Sequence, residues 1–228
     1  VWGALVRTRN RCANCSASSD TLKRRQFIDL NMEDGVATLK GLYVQFAREG
    51  RGEDSKCPIF CGGLAYQQYF LEKEPPVLFF RFLRFKQRAD FTGEYRIPTD
   101  VDVPDRIDFL RSGPYQLAAV VMHHGRSTHF GHYTTLCWEG AANGEQRYRW
   151  YNDDALSSAM TWAQVRGRTY YDGSTLGSGA YMLCYVRVGF WSDSVGDGSE
   201  RVPYLRDNRS EDVAASFFRG RPVEIRID

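Results

Sequence analysis

His132, in the run Phe130-Gly131-His132-Tyr133, and the pair Asn152-Asp153, in Trp150-Tyr151-Asn152-Asp153, are the residues best placed to do chemistry together. An imidazole can take a proton from a nucleophile near neutral pH, and an amide or carboxylate oxygen beside it fixes which ring nitrogen is basic. That is the base-and-orienter half of a site built on a thiol nucleophile. An amide suffices there, because a thiolate–imidazolium pair needs orientation more than added negative charge. Asn143-Gly144 lies between the two runs and is the strongest two-residue hairpin signal, since both residues tolerate positive φ. With the turn centred there, His132 faces Ala155, and Asn152 and Asp153 sit two or three positions away, roughly 7 to 10 Å along a strand. A bulge, or a longer loop centred nearer Ala142, would close that gap. The plainer alternative is a sheet histidine beside a polar turn. His123, His124 and His129 read as structural or exposed.

Two close cysteine pairs, Cys12-x2-Cys15 and Cys57-x3-Cys61, have the spacing of a tetrahedral four-thiolate zinc site. Such an ion would clip two distant turns and close a long loop between them. It would be structural, because four thiolates leave no open coordination position. Pro58 and Gly62-Gly63 suit a tight ligand knuckle. Four unligated thiols, or one pair in redox chemistry, remain the alternatives. Cys137 and Cys184 stand alone in apolar runs and read as inert buried thiols.

The elements that must position these groups are mainly strands. Ile28, Leu30 and Met32 alternate with polar residues, and Thr38 can cap a helix carrying Leu39, Leu42, Tyr43 and Phe46 at 3.6-residue spacing. Gly50 and Gly52 end that helix. Residues 77–85 (VLFFRFLRF) read as a central strand, apolar on both faces early. Further strands are expected at Leu117 to Met122, Tyr133 to Trp138, Tyr148 to Tyr151 and Tyr181 to Val188, with a short helix from Trp162 to Arg166. Residues 1–188 read as the folded part. Residues 189–228 read as a linker and weakly ordered tail, with at most a short helix near Val213 to Phe218.

Composition narrows the class. A 43% hydrophobic chain of 228 residues can bury a proper core. The 30 basic and 28 acidic residues are interspersed, which argues against a nucleic-acid partner. No apolar run approaches the length of a membrane span. Metal thiolates suit a reducing compartment, so cytosol or nucleus is expected. The first residue is Val1 rather than Met, which reads as a fragment with its true N-terminus upstream.

Taken together, these stretches resemble the ubiquitin-specific protease (ubiquitin carboxyl-terminal hydrolase) family of deubiquitinating cysteine proteases. Residues 117–125 (LAAVVMHHG) followed by Gly131-His132-Tyr133 are similar to its histidine box. Trp150-Tyr151-Asn152-Asp153 is similar to its downstream Asn/Asp element, and residues 180–185 (AYMLCY) to its closing strand. Pro76-Val77-Leu78 with residues 81–85 (RFLRF) resembles the strand ending in Lys/Arg-Arg-Phe, and the cysteine pairs fall where the family has zinc-bearing fingers. The likeness runs from about residue 1 to 188.

The resemblance implies an α+β fold: a papain-like cysteine protease palm with an antiparallel sheet, zinc-ribbon fingers, and a thumb largely missing. It implies His132 as general base, Asn152 as its orienter and Asp153 as a helper. Gly131 and Tyr133 would flank the cleft that admits the Gly-Gly tail of ubiquitin, and Cys12, Cys15, Cys57 and Cys61 would bind Zn2+. Ubiquitin and ubiquitinated proteins are the implied partners. There are two departures. The second cysteine pair has three intervening residues where the family usually has two. The nucleophile box, Gly-Asn-Thr-Cys-Tyr, is not found, so the thiol is expected upstream of Val1 and the chain alone is expected to be inactive. A non-catalytic ubiquitin-binding module and a zinc-ribbon interaction domain are the alternatives.

Overall fold

The computed structural model describes residues 3–32, 36–48, 50–88, 93–125, 130–170 and 173–190. The chain divides into two units, Val1–Val188 and Gly189–Asp228. The first holds every element named below. The tail expected at 189–228, including the helix near Val213 to Phe218, lies outside the described residues from 191 onward.

In chain order the elements are β1 (Ala4–Cys12), β2 (Ser18–Arg25), β3 (Ile28–Asn31), α1 (Leu39–Ala47), β4 (Gly50–Lys56), β5 (Leu64–Lys73), β6 (Val77–Leu83), β7 (Phe85–Gln87), β8 (Glu94–Arg96) and β9 (Arg106–Ile107). They continue with β10 (Tyr115–His124), β11 (His132–Ala142), β12 (Glu145–Asn152), β13 (Ala155–Leu156), β14 (Met160–Thr161), α2 (Trp162–Arg166), α3 (Leu176–Gly179) and β15 (Ala180–Arg187). A small antiparallel sheet runs β2-β1-β5-β4. A large one runs β13-β12-β11-β10-β15-β6-β3, with β14 on β12 and β9 on β10. Among the strands of the described residues, only β3 and β6 pair in parallel. No helix among the described residues is long and apolar enough to cross a membrane.

One face of the large sheet is the core. Leu78, Phe80 and Phe82 on β6, Val120 and Met122 on β10, Leu136 on β11, Tyr148 on β12 and Leu183 and Tyr185 on β15 are all buried. They alternate with half-buried residues, as period-2 pleating requires. Two of the buried phenols donate to backbone carbonyls, Tyr115 to that of Pro75 at 2.8 Å and Tyr185 to that of Pro104 at 2.6 Å.

Thr38 caps α1 as its sequence predicts, its side chain accepting from Gly41 N–H at 3.1 Å. The helix joins the two sheets through its aromatics. Tyr43 meets Phe80 of β6 edge-on at 6.3 Å, and Phe46 stacks on Tyr69 of β5 at 5.1 Å.

The strand expected over 77–85 stops at Leu83. Arg84 turns inward, is 1% exposed, and donates to the carbonyls of Ile97, Thr99, Gly177 and Ala180. A buried guanidinium is tolerable only when its donors are met, and leaving the ladder lets Arg84 reach four acceptors at once.

Candidate active site and metal centre

The hairpin that carries the site turns at Asn143 (φ 53°) and Gly144 (φ 76°), the positive-φ pair that Asn-Gly favours. Near the turn, Ala142 faces Glu145 and Gly140 faces Arg147. The register then shifts between Trp138 and Gly140, so that Trp138 faces Tyr148 and Thr135 faces Tyr151. Glu139 is the extra residue, and Gly140 takes φ 118° beside it. Carried one step further, the shifted register sets Asn152 against Thr134. Cross-strand partners share a face, so Asn152 shares the face of Thr134 and His132. Without the bulge, Asn152 would oppose Thr135 and point to the other side. The regular register read from the sequence is therefore wrong by one residue beyond Trp138, and the bulge is what brings the two groups together.

His132 Nε2 and Asn152 Oδ1 are in hydrogen-bond contact. An amide oxygen only accepts, so Nε2 carries the proton and Nδ1 is the basic nitrogen of the neutral ring. Asp153 Oδ2 lies 3.8 Å from the same Nε2, with 81% of its side chain exposed against 35% for His132. Asp153 opens the two-residue turn between Asn152 and its partner Ala155, at φ 47°. All three predicted residues thus meet at the end of one hairpin, with Asn152 in contact and Asp153 at the rim.

Gly131 has no room for a side chain. A Cβ there would overlap the His123 ring and lie 2.8 Å from the His124 carbonyl. His123 is 2% exposed, with its ring 4.8 Å from Tyr133, 5.6 Å from Phe85 and 6.3 Å from Tyr181. Tyr133, half exposed, and Phe130, strongly exposed, extend this aromatic wall outward. Tyr133 neighbours His132 along the strand and so projects from the opposite face.

His124 is a residue whose place the sequence reading missed. It is buried, it is the direct cross-strand partner of His132, and the two rings lie 6.4 Å apart at 30°. The signal was available: strands joined through Gly125 and Gly131 must pair residues near 124 and 132.

Cys12, Cys15, Cys57 and Cys61 converge, their sulfurs all within 4.8 Å of one another. Cys12 meets Cys61 and Cys15 meets Cys57, each at 3.5 Å. Zn–S bonds of about 2.3 Å in a tetrahedron need sulfurs roughly 3.8 Å apart, so this donor set fits the ion. One pair sits on the β1–β2 turn and the other on the β4–β5 connection, where Phe60 takes φ 58° and its N–H donates to Cys57 O at 3.0 Å. That left-handed residue absorbs the third intervening position while keeping both sulfurs aimed inward. Gly63 is required by close approach, since a Cβ there would lie 2.8 Å from Cys12 Sγ. Burial opposes ionisation of Cys57, yet the N–H groups of Cys61 and Ile59 and neighbouring thiols outweigh it and bring Cys57 down to about 6. Cys137 and Cys184, in β11 and β15, are instead pushed up to about 12, chiefly by burial.

Comparison with known proteins places this geometry in context. A sequence model of the family described as Ubiquitin carboxyl-terminal hydrolase matches residues 2–185. Human Ubiquitin carboxyl-terminal hydrolase 42 is 31% identical over 214 residues, covering 88% of this chain and 14% of that protein. Mouse Ubiquitin carboxyl-terminal hydrolase 17-like protein D is 27% identical over 201 residues, covering 82% of this chain and 33% of its own length. This chain thus spans a third or less of these relatives. In fold, it is similar to a chain of the SAGA Ubp8/Sgf11/Sus1/Sgf73 DUB module bound to ubiquitin aldehyde. The TM-score is 0.61 and the identity 18%, covering 82% of this chain and 41% of that one.

Proposed function

The chain belongs to the ubiquitin carboxyl-terminal hydrolase family, and from that premise we propose that it supplies the palm and fingers of a deubiquitinating cysteine protease. The large sheet is the palm and the small sheet the fingers. His132 is the general base, Asn152 its orienter, and Asp153 an auxiliary acceptor at the rim. The contact between His132 Nε2 and Asn152 Oδ1 carries this reading, because it leaves Nδ1 basic. Nδ1 takes the proton of a cysteine thiol, and the thiolate attacks the carbonyl carbon of ubiquitin's C-terminal glycine. The imidazolium then protonates the departing lysine amine, and water, deprotonated by the same ring, releases the acyl group.

The thiol comes from a polypeptide segment other than those described here. Four of the six cysteines form the metal cluster, and burial raises the other two thiols to about 12, the reverse of activation. Gly131 leaves the backbone bare next to His132, and the exposed Tyr133, on the opposite face of the same strand end, marks the rim past which a Gly-Gly tail would run. Zinc at Cys12, Cys15, Cys57 and Cys61 supplies a clamp for the fingers and takes no part in the chemistry. A metal-thiolate site of this kind belongs in the reducing cytosol or nucleus.

Titration of this chain with ubiquitin, followed by NMR, is expected to shift the amides of Gly131 and Tyr133. A ubiquitin–fluorophore conjugate is expected to stay uncleaved by the chain alone. Cleavage that survives His132→Ala would refute the assigned roles, and unmoved Gly131 and Tyr133 amides would refute the ubiquitin channel.

A further inference from the structure

We propose that the four-cysteine cluster is also an oxidation site, at which a hydroperoxide forms the disulfides Cys12–Cys61 and Cys15–Cys57. The two bonds release the metal and take its place as the clamp of the fingers. Neither His132 nor ubiquitin has any part in this, so it stands apart from the protease reading.

The pairing follows from the way the two knuckles interlock. Cys12 Sγ lies 3.5 Å from Cys61 Sγ, and Cys15 Sγ lies 3.5 Å from Cys57 Sγ. Each close pair thus takes one sulfur from the β1–β2 turn and one from the β4–β5 connection. The backbone holds those two segments together without help from the sulfurs. Cys12 faces Ala65 across the β1–β5 ladder, and Ala13 N–H donates to the Leu64 carbonyl at 3.0 Å. Cys57 N–H donates to the Gly63 carbonyl at 3.1 Å, which folds the second segment back on itself. A disulfide is about 2.05 Å long, so each pair must close by roughly 1.5 Å, a movement that two side chains share.

Exposure divides the labour within each pair. Cys15 and Cys61 are exposed, whereas Cys12 and Cys57 are buried. Each pair therefore joins a sulfur that an oxidant reaches to one shielded from it. At Cys61 the thiolate sulfur attacks the terminal peroxide oxygen. An S–O bond forms, the O–O bond breaks, and alkoxide departs to be protonated by water. The Cys12 thiolate then attacks the sulfenic sulfur, so that an S–S bond forms, the S–O bond breaks and hydroxide departs. Cys15 and Cys57 react in the same way. Two peroxides are reduced, and the four thiolate charges pass to two alkoxide and two hydroxide ions. The metal is left without thiolate ligands and dissociates. Because the new bonds join residues 49 and 42 positions apart, they close the same long loop that the ion closed.

Hydrogen peroxide acting on the zinc-loaded chain tests the proposal. A chromogenic zinc dye should report one ion released for every two peroxide molecules consumed. Trypsin leaves Cys12 and Cys15 together in residues 12–23, and Cys57 and Cys61 together in residues 57–73. The oxidised chain should therefore yield these two peptides joined as one species, whose fragmentation assigns Cys12 to Cys61 and Cys15 to Cys57. Hydrogen exchange should find β1 and β5 still protected in the oxidised, zinc-free chain. The same strands should lose protection when a chelator removes zinc in the presence of a thiol reductant. Two separate peptides, with internal Cys12–Cys15 and Cys57–Cys61 bonds, would overturn the proposal. So would sulfinic or sulfonic acids in place of disulfides, or loss of protection on oxidation. If the chain takes up no zinc, the metal reading fails by itself, and the peptide map of the metal-free chain still decides the pairing.

Discussion

The palm and the fingers are both mainly antiparallel sheets, yet they are held together by different physics. The palm buries a continuous apolar face from Leu78 on β6 to Tyr148 on β12, sealed by α1 and the loops. In the fingers β2 is exposed along almost its whole length, and burial in β1 and β5 is confined mainly to Ala4, Val6, Cys12, Ala65 and Leu71. A sheet so thin cannot fund its own chain entropy from apolar burial. Its exposed face is laced by ion pairs instead, among them Arg7 with Asp20 at 3.0 Å and Arg7 with Glu72 at 2.6 Å, and such accessible pairs contribute little. The thiolate cluster at its tip is the remaining source of order. The contact between His132 and Asn152, proposed above as catalytic, sits on the self-supporting sheet, and the four-cysteine cluster, which fits a metal, lies on the other.

The widest separation between the two regions should come from metal removal. A structural zinc contributes on the order of 10 kcal/mol to the fold of a small thiolate site. Treatment with a strong chelator, or Cys57→Ser, is expected to abolish hydrogen-exchange protection in β1, β2 and β5 while β10 and β15 stay protected. Loss of protection in both sheets together would show that the comparison is false. The converse experiment acts on the palm. Phe80→Ala removes a fully buried ring that also meets Tyr43 and Tyr185, and should cost about 3–5 kcal/mol in urea unfolding. Leu22→Ala on the exposed β2 should stay within about 0.5 kcal/mol.

The same contrast decides what could be read from the sequence. The palm strands were legible because burial leaves a mark in hydropathy: β12 alternates, and the central β6 and β15 are apolar nearly throughout. The strands of the fingers were not. Ser18 to Arg25 (SSDTLKRR) has no apolar stripe, since its order comes from pairing with β1 and from the knuckles rather than from a buried face. Helix α3 escaped for a related reason. Leu-Gly-Ser-Gly is a poor helix former, and the turn exists because Thr175 and Ser178 form a capping box while Arg84 and Arg96 grip the Gly177, Ser178 and Ala180 carbonyls. At the site, the partnership of His132 and Asn152 was legible as a possibility from Asn-Gly spacing alone. The bulge at Glu139 was not, because nothing but the glycine after it marks the place.

Alkaline titration probes the palm through its buried phenols. Burial pushes Tyr115 and Tyr170 up to about 12 and raises Tyr148 and Tyr185 as well. A phenol whose folded value lies above its unfolded value of about 10 stabilises the fold fully below pH 10, and that contribution is lost as pH rises through the folded value. The expected loss is on the order of 2 kcal/mol for each of Tyr115 and Tyr170 between about pH 10 and 12. Far-ultraviolet dichroism against pH, with tyrosinate absorbance followed in parallel, checks this. Ionisation of all the tyrosines near pH 10 without unfolding would contradict it.

A modest effect on stability should carry the largest effect on the site. Gly140 holds φ 118° beside the bulge with nothing within 4 Å of where its Cβ would be, so conformation alone and not space requires glycine. Gly140→Val should therefore cost about 1–3 kcal/mol, the usual range for one residue forced into a sparse region of backbone space. The chain can relieve that strain by expelling the bulge and sliding β11 one residue against β12. Every side chain before Trp138 would then change faces relative to β12, and Asn152 would leave His132. The ring-nitrogen resonances of His132 should show this as loss of the single tautomer in a protein that unfolds only slightly earlier in urea. Its partner test in the fingers is Gly63→Ala, where the new methyl meets Cys12 Sγ at 2.8 Å. That change should weaken metal binding and leave His132 unaltered. If Gly63→Ala disturbed His132, or Gly140→Val left the Asn152 contact intact, the placement of the site on an independently ordered sheet would have to be given up.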